Sequence, residues 1–139
     1  MKIKVVKISE TTIPHYAGEG DAGLDLYSCE DLIIRPSERT AVPTGIKMEI
    51  PQGYVGLVWD KSGLALKSGI KTMAGVVDAG YRGEIRVVLI NSSKEDFIIK
   101  KNSKIAQMLI QKIERPQIEI VSELNESQRG ENGFGSTGI

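Results

Sequence analysis

Four stretches of this sequence set titratable, amide or hydroxyl side chains beside glycine, or break an apolar run with one, so that they could bind a phosphorylated ligand or activate a water. In Asp21-Ala22-Gly23-Leu24-Asp25-Leu26-Tyr27-Ser28, Asp25 sits between two leucines. Alternate residues of an extended chain face opposite ways, so leucines turned to a core put Asp25 on the other face, ordinarily the solvent face. In Trp59-Asp60-Lys61-Ser62-Gly63-Leu64-Ala65, a strand ends and a short helix can begin. Ser62 has the residue type of an N-cap. The same geometry, with Lys61 alongside, aims N–H groups and a hydroxyl outward and makes a usable phosphate site. Gly75-Val76-Val77-Asp78-Ala79-Gly80-Tyr81-Arg82-Gly83-Glu84 reads as a β-hairpin with Asp78-Ala79-Gly80 in its turn. An aspartate beside Tyr81, close to a triphosphate, suits activation of a water beneath a sugar ring. Gln107 interrupts the apolar run Ile105-Ala106-Gln107-Met108, either as the outward face of a strand or as a pocket donor.

The chain's last stretch has a different composition. From Gln128 it reads Gln-Arg-Gly-Glu-Asn-Gly-Phe-Gly-Ser-Thr-Gly-Ile, with four glycines and only Phe134 and Ile139 as bulky apolar residues. Such a segment cannot bury enough surface to order itself. It is either a frayed terminus or a flexible lid. As a lid, its glycines, Gly135 among them, turn backbone N–H groups toward an anion, Ser136 and Thr137 add hydroxyls, and Arg129 adds a fixed charge. Phe134 then offers a flat face to a base.

These stretches need a scaffold, and the apolar period says which. Ile46-Lys47-Met48-Glu49-Ile50 and Gln117-Ile118-Glu119-Ile120 alternate as half-buried strands do. Tyr54–Trp59, Ile85–Ile90 and Ile105–Ile110 are short runs of β-branched or bulky apolar residues, bounded by turn signals such as Pro51-Gln52-Gly53. The prediction is an all-β, single-domain sandwich or jelly roll over residues 1–127, followed by the flexible Gly-rich tail, 128–139. Its one helix candidate starts at Ser62.

Bulk composition narrows the function. With 18 basic against 18 acidic side chains the formal charge is zero, which argues against coating nucleic acid by bulk charge but leaves room for one basic pocket. A single cysteine, Cys29, and a single histidine, His15, exclude an intramolecular disulfide and a Cys/His zinc cluster. His15 falls in a loop-like stretch and reads as a surface residue. Charges break up Met1–Ile8 and no apolar run reaches the length of a membrane span, so neither a secretory leader nor a membrane partner is expected, and the expected location is cytoplasmic.

Taken in order, the motifs resemble the dUTPase family, which is recognised by five short segments. Ala22–Ser28, Lys61–Ala65, Gly75–Gly83, Ile105–Met108 and Arg129–Gly138 look like the five, and together they span nearly the whole chain. The resemblance implies hydrolysis of dUTP to dUMP and pyrophosphate in a homotrimer. It implies that each active site is shared, with the first, second and fourth motifs from one subunit, the third from a neighbour and the fifth from the remaining one. It implies Mg²⁺ held mainly by the triphosphate and water, with Asp25 and Gln107 in its outer shell. Asp78 is then the base, and Lys61, Ser62, Gly63 and Gln107 contact the phosphates. Tyr81 packs under the deoxyribose, and backbone from Thr72 through Gly75 to Val77 reads the uracil edge. The tail closes with Phe134 over the base and Arg129, Gly135, Ser136 and Thr137 at the terminal phosphate. One departure stands out: the family usually places Arg before Ser-Gly in the second motif, and here it is Lys61, a point charge instead of a planar fork. Two other functions fit the same scaffold, a dCTP deaminase and a non-catalytic nucleotide-sensing interaction protein.

Overall fold

Strand formation follows the alternation of the sequence most clearly in Glu84–Asn91, where Ile85, Val87, Leu89 and Asn91 are buried and the residues between them are not. The computed structural model describes residues 1–132. In chain order the elements are β1 (Lys4–Lys7), β2 (Leu24–Tyr27), β3 (Leu32–Ile34), β4 (Arg39–Glu49), β5 (Tyr54–Trp59), α1 (Ser62–Ser68), β6 (Ile70–Met73), β7 (Val76–Asp78), β8 (Glu84–Asn91), β9 (Phe97–Ile99) and β10 (Lys104–Lys112). One antiparallel sheet runs β1-β4-β8-β6 and a second runs β2-β10-β5-β7, with β3 and β9 as a separate ribbon. Val42, Ile46, Val87 and Leu89 of the first sheet and Leu26, Val58, Ala106 and Met108 of the second belong to one buried cluster. The chain therefore forms the expected all-β sandwich. Each such large aliphatic side chain contributes about 1.5–3 kcal/mol by leaving water.

Three local expectations are corrected. The stretch around Asp78 is not a two-stranded hairpin. β6 pairs with β8 and β7 pairs with β5, so the chain changes sheets between Met73 and Val76. The change is made by two consecutive residues with positive φ, Ala74 at 61° and Gly75 at 117°. Gly75 also lies so near β5 that a Cβ there would come 2.7 Å from the Val58 carbonyl oxygen. Second, Ser62 is not the N-cap. Lys61 occupies that position in extended conformation and no side chain makes the cap bond, so the Ser62 hydroxyl is not spent on the helix. Third, Gln117–Ile120 forms no strand. Alternation specifies a strand only where an edge is available to pair with, and within one chain this segment stays bare, with Ile118 89% and Ile120 96% exposed.

Candidate active site

β10 lies between β2 and β5, and its register sets one row of side chains across all three strands. Asp25 is opposite Gln107, and Gln107 is opposite Trp59. Directly opposed residues share a face of the sheet. Leu24 and Leu26 are opposite Met108 and Ala106 on the core side, so Asp25 does point away from the core, as its spacing predicts. It does not reach solvent. Asp25 is only 3% exposed because two ammonium groups cover it. Lys61 Nζ donates to Oδ1, and Lys104 Nζ sits 2.7 Å from Oδ2. Burial works to raise the Asp25 carboxyl, but pairing with Lys104 and Lys61 outweighs it and holds the group below the usual carboxylate range. Lys104 is in turn held protonated by Asp25.

Around these charges opens a cavity of about 480 Å³, walled by Lys61, Ser62, Gly63, Lys104 and Gln107 among others. Ser62 and Gly63 are exposed at the start of α1, and nothing lies within 4 Å of where a Gly63 Cβ would be. Gln107 is oriented by two neighbours. Its Nε2 donates to the Asp60 carbonyl at 2.8 Å, and its side chain lies against Gly23, where an added Cβ would collide with Oε1. Three lysines, including Lys67, line this cavity, which makes it a cationic receptacle of polyphosphate size.

A second cavity, of about 240 Å³, is bounded by Met73, Gly75, Val76, Val77, Asp78 and Tyr81 together with the first five residues of β8, Glu84 to Val88. No residue lines both cavities. Asp78 ends β7, exposed. The turn that presents it is stapled from both sides: Tyr81 N–H donates to the Asp78 carbonyl at 3.0 Å, and Arg82 Nη1 donates to the carbonyls of Ala79 at 2.7 Å and Tyr81 at 2.8 Å. The Tyr81 hydroxyl donates to the Glu84 carbonyl at 3.1 Å and its ring lies over Gly83. Arg82 Nη1 is thus committed to its own turn, while Nη2 lies 4.0 Å from Glu49 Oε2.

Thr72 stands outside this lining. Its N–H and its hydroxyl both donate to Asp60 Oδ1, the hydroxyl at 2.8 Å. Asp60 also pairs with Lys71 at 2.9 Å. Burial acts against the Asp60 carboxylate, yet these donors keep its pKa lowered. Arg129 is exposed, with Nε donating to the Asn132 carbonyl at 2.9 Å. Phe134, Gly135, Ser136 and Thr137 lie outside the described residues. Asp60 and Lys104 are among the charged residues at the site that sequence reasoning passed over, as is Lys67. For Asp60 and Lys104 the available signals were their places at a strand end beside Lys61 and at a strand start beside Ile105.

Among the described residues no group of three or more His, Cys, Asp or Glu side chains could hold a metal ion. No carboxylate lines the cationic cavity; Asp25 lies buried behind two of its lysines, Lys61 and Lys104, with Lys104 Nζ 2.7 Å from Oδ2. A single carboxylate whose charge is compensated by two lysines does not fit a protein-built Mg²⁺ cage, which requires several oxygen ligands, and leaves a metal to be held mainly by other oxygens and water.

A family model described as dUTPase matches residues 9–138. The deoxyuridine 5'-triphosphate nucleotidohydrolase of Clostridium kluyveri is 51% identical over 141 residues, covering 99% of both chains. That of Paramecium bursaria Chlorella virus 1 is 44% identical, covering 95% of this chain and 94% of its own. Among solved structures, the Staphylococcus bacteriophage 80alpha dUTPase with dUPNHPP superposes with a TM-score of 0.92 at 30% identity, covering 99% of each chain. A mutant dUTPase from phage phi11 of S. aureus, described for its coordination of a structural Mg(II) ion, gives 0.83 at 27% identity over 88% of this chain and 98% of that one. With the match running through both cavities and nearly the full length, this chain belongs to the dUTPase family.

Proposed function

We propose that this protein hydrolyses dUTP to dUMP and pyrophosphate, with Asp78 as general base for a water that attacks the α-phosphorus. Lys61, Ser62 and Gln107 bind the phosphate oxygens and stabilise the charge that develops on them. Asp78 accepts the water's proton. Tyr81 packs beneath the deoxyribose, and the backbone through Gly75 and Val77 meets the base. Asp25 and Gln107 would hold Mg²⁺ through water beside the triphosphate, and the ion would there supply charge neutralisation of the phosphates. Arg129 and the tail residues Phe134, Gly135, Ser136 and Thr137 close over base and terminal phosphate, so residues 128–139 act as a lid on the 1–127 domain.

The observation that carries this reading is the separation of the two cavities. One has the charge and size for a triphosphate, the other has a carboxylate, a tyrosine and room for a base, and no residue belongs to both. Two half-sites on one chain become whole ones when a ring of copies sets the phosphate half of one against the base half of the next. The bare stripe at Ile118 and Ile120 supports the same homotrimer, since a neighbouring copy is what could cover it. The test is direct: incubation with each dNTP and with UTP, with Mg²⁺, and assay of pyrophosphate. Release from dUTP alone is expected. Ammonia release from dCTP, or tight dUTP binding with no pyrophosphate, would replace the reading with a deaminase or a sensor. The proposed location is cytoplasmic; among the described residues no helix is long and apolar enough to cross a membrane.

A further inference from the structure

We infer that Asp60 is a positioning residue for base discrimination: by clamping Thr72 it fixes the turn that walls the smaller cavity. The inference rests on the dUTP hydrolysis proposed above. Asp60 follows β5, in the second sheet, whereas Thr72 belongs to β6, in the first. The contact therefore ties the two layers together beside the cavity. Oδ1 accepts from both Thr72 donors, Oδ2 pairs with Lys71, and the main-chain carbonyl accepts from Gln107. Hydrogen bonds to a carboxylate are stronger than those between neutral groups.

One residue beyond Thr72 the chain makes its change of sheet through Ala74 and Gly75, both at positive φ. Such a turn holds its shape only when both ends are fixed. On the far side Val58 N–H donates to the Gly75 carbonyl at 2.8 Å. On the near side the anchor is Asp60. A base is told from its analogues by hydrogen-bonding groups of fixed position, and a wall that moves by a fraction of an ångström loses that ability before it loses affinity for phosphate. Asp78 is held by its own stapled turn, so the chemical step is insulated from the clamp. Thr72 spends both donors on Asp60 and acts on the base only through the wall it holds.

The experiment compares wild type with Asp60→Ala, Asp60→Asn, Asp60→Glu and Lys71→Met for kcat and KM on dUTP and dCTP, with a thermal melt of each. Asp60→Ala should raise KM for dUTP about tenfold and cut the preference for dUTP over dCTP about tenfold, with kcat within about threefold. Asp60→Asn keeps an oxygen acceptor for Thr72 and should stay within about threefold of wild type on all three measures. Lys71→Met removes only a surface pairing and should leave the preference unchanged. A folded Asp60→Ala enzyme with wild-type preference, or with its whole loss in kcat, overturns the inference. If Asp60→Ala does not fold, Asp60→Glu, whose carboxylate sits one methylene too far, decides by the same criteria. Amide exchange at Thr72 and Val58, whose N–H groups donate to Asp60 and to the Gly75 carbonyl, reads the clamp and the wall beyond it without turnover. Protection lost in Asp60→Ala supports the clamp even if wild type releases no pyrophosphate, a result that would count against the functional reading alone. Unchanged protection counts against the clamp whatever the activity.

Discussion

Replacing Gly75 with alanine tests whether the change of sheet is what shapes the smaller cavity. At φ 117° an L-residue is strained, at a cost of about 1–3 kcal/mol. The new Cβ would stand 2.7 Å from the Val58 carbonyl oxygen. That oxygen is main chain in a central part of the sheet and cannot swing aside as a side chain would. Relief must come from the turn, which stretches or breaks the 2.8 Å bond from Val58 N–H to the Gly75 carbonyl, worth about 1 kcal/mol. The sum is about 2–4 kcal/mol, short of the total stability of an ordinary domain, about 5–15 kcal/mol. The variant should fold, with a melting midpoint lowered on the order of 10 °C and a raised KM for dUTP. Gly80→Ala is the matched control five residues on, where nothing lies within 4 Å and φ is not positive. It should be neutral or slightly stabilising, by up to about 1 kcal/mol. Urea unfolding at fixed protein concentration, with a common m-value, measures both. A Gly75→Ala protein within about 0.5 kcal/mol of wild type would refute the reasoning.

Four other outcomes are expected. Asp78→Asn should lower kcat on the order of a hundredfold or more while calorimetry still detects dUTP binding; near-normal turnover removes the assigned role. Lys61→Arg, which restores the forked donor that the family usually carries, should preserve or raise kcat/KM, and a severe loss would mean that the pocket is built around an ammonium. Asp25 and Asp60 both have folded pKa values below their unfolded ones, so their stabilisation is complete above the ordinary carboxylate range and drains away as pH falls through the folded values. Melts between neutral and acid pH should therefore slope less steeply in Asp25→Asn than in wild type, and identical slopes count against the ion-paired arrangement. Finally, co-refolding an equal mixture of Asp78→Ala chains and chains stopped before Arg129 should restore about one quarter of wild-type activity if each site draws its base and its tail from different subunits; no recovery, with mixed trimers seen by native mass spectrometry, rules that sharing out.

The strands that matter for the site were legible because their signal is local. Tyr54–Trp59 coincides with β5, and Ile85–Ile90 and Ile105–Ile110 fall within β8 and β10. Their alternation also gave the direction in which Asp25 points. What it could not give was exposure, because Asp25 is covered by Lys61 and Lys104, from other parts of the chain, 36 residues away in the case of Lys61. The sheet change after Met73 was hidden for a related reason. Its first left-handed residue is Ala74, and alanine carries no turn signal. Gln117–Ile120 shows the opposite failure, in which a clear local pattern lacks the edge that would make it a strand. Asp60 was overlooked because its role lies in an acceptor count that only the position of Thr72 reveals.

The change of sheet has a mechanical meaning. β6 and β7 are separated by two residues yet are fastened to opposite layers of the sandwich. The chain also crosses between the layers elsewhere, as from β4 to β5 and from β7 to β8, but the link through Ala74 and Gly75 is the shortest, so it has the least room to absorb a slide of one layer on the other. The smaller cavity is therefore a strain gauge for the whole domain. Repacking between the layers, even at buried Leu26 or Ile46, is felt most at this shortest crossing, and nucleotide affinity becomes a sensitive readout of how the two sheets are seated.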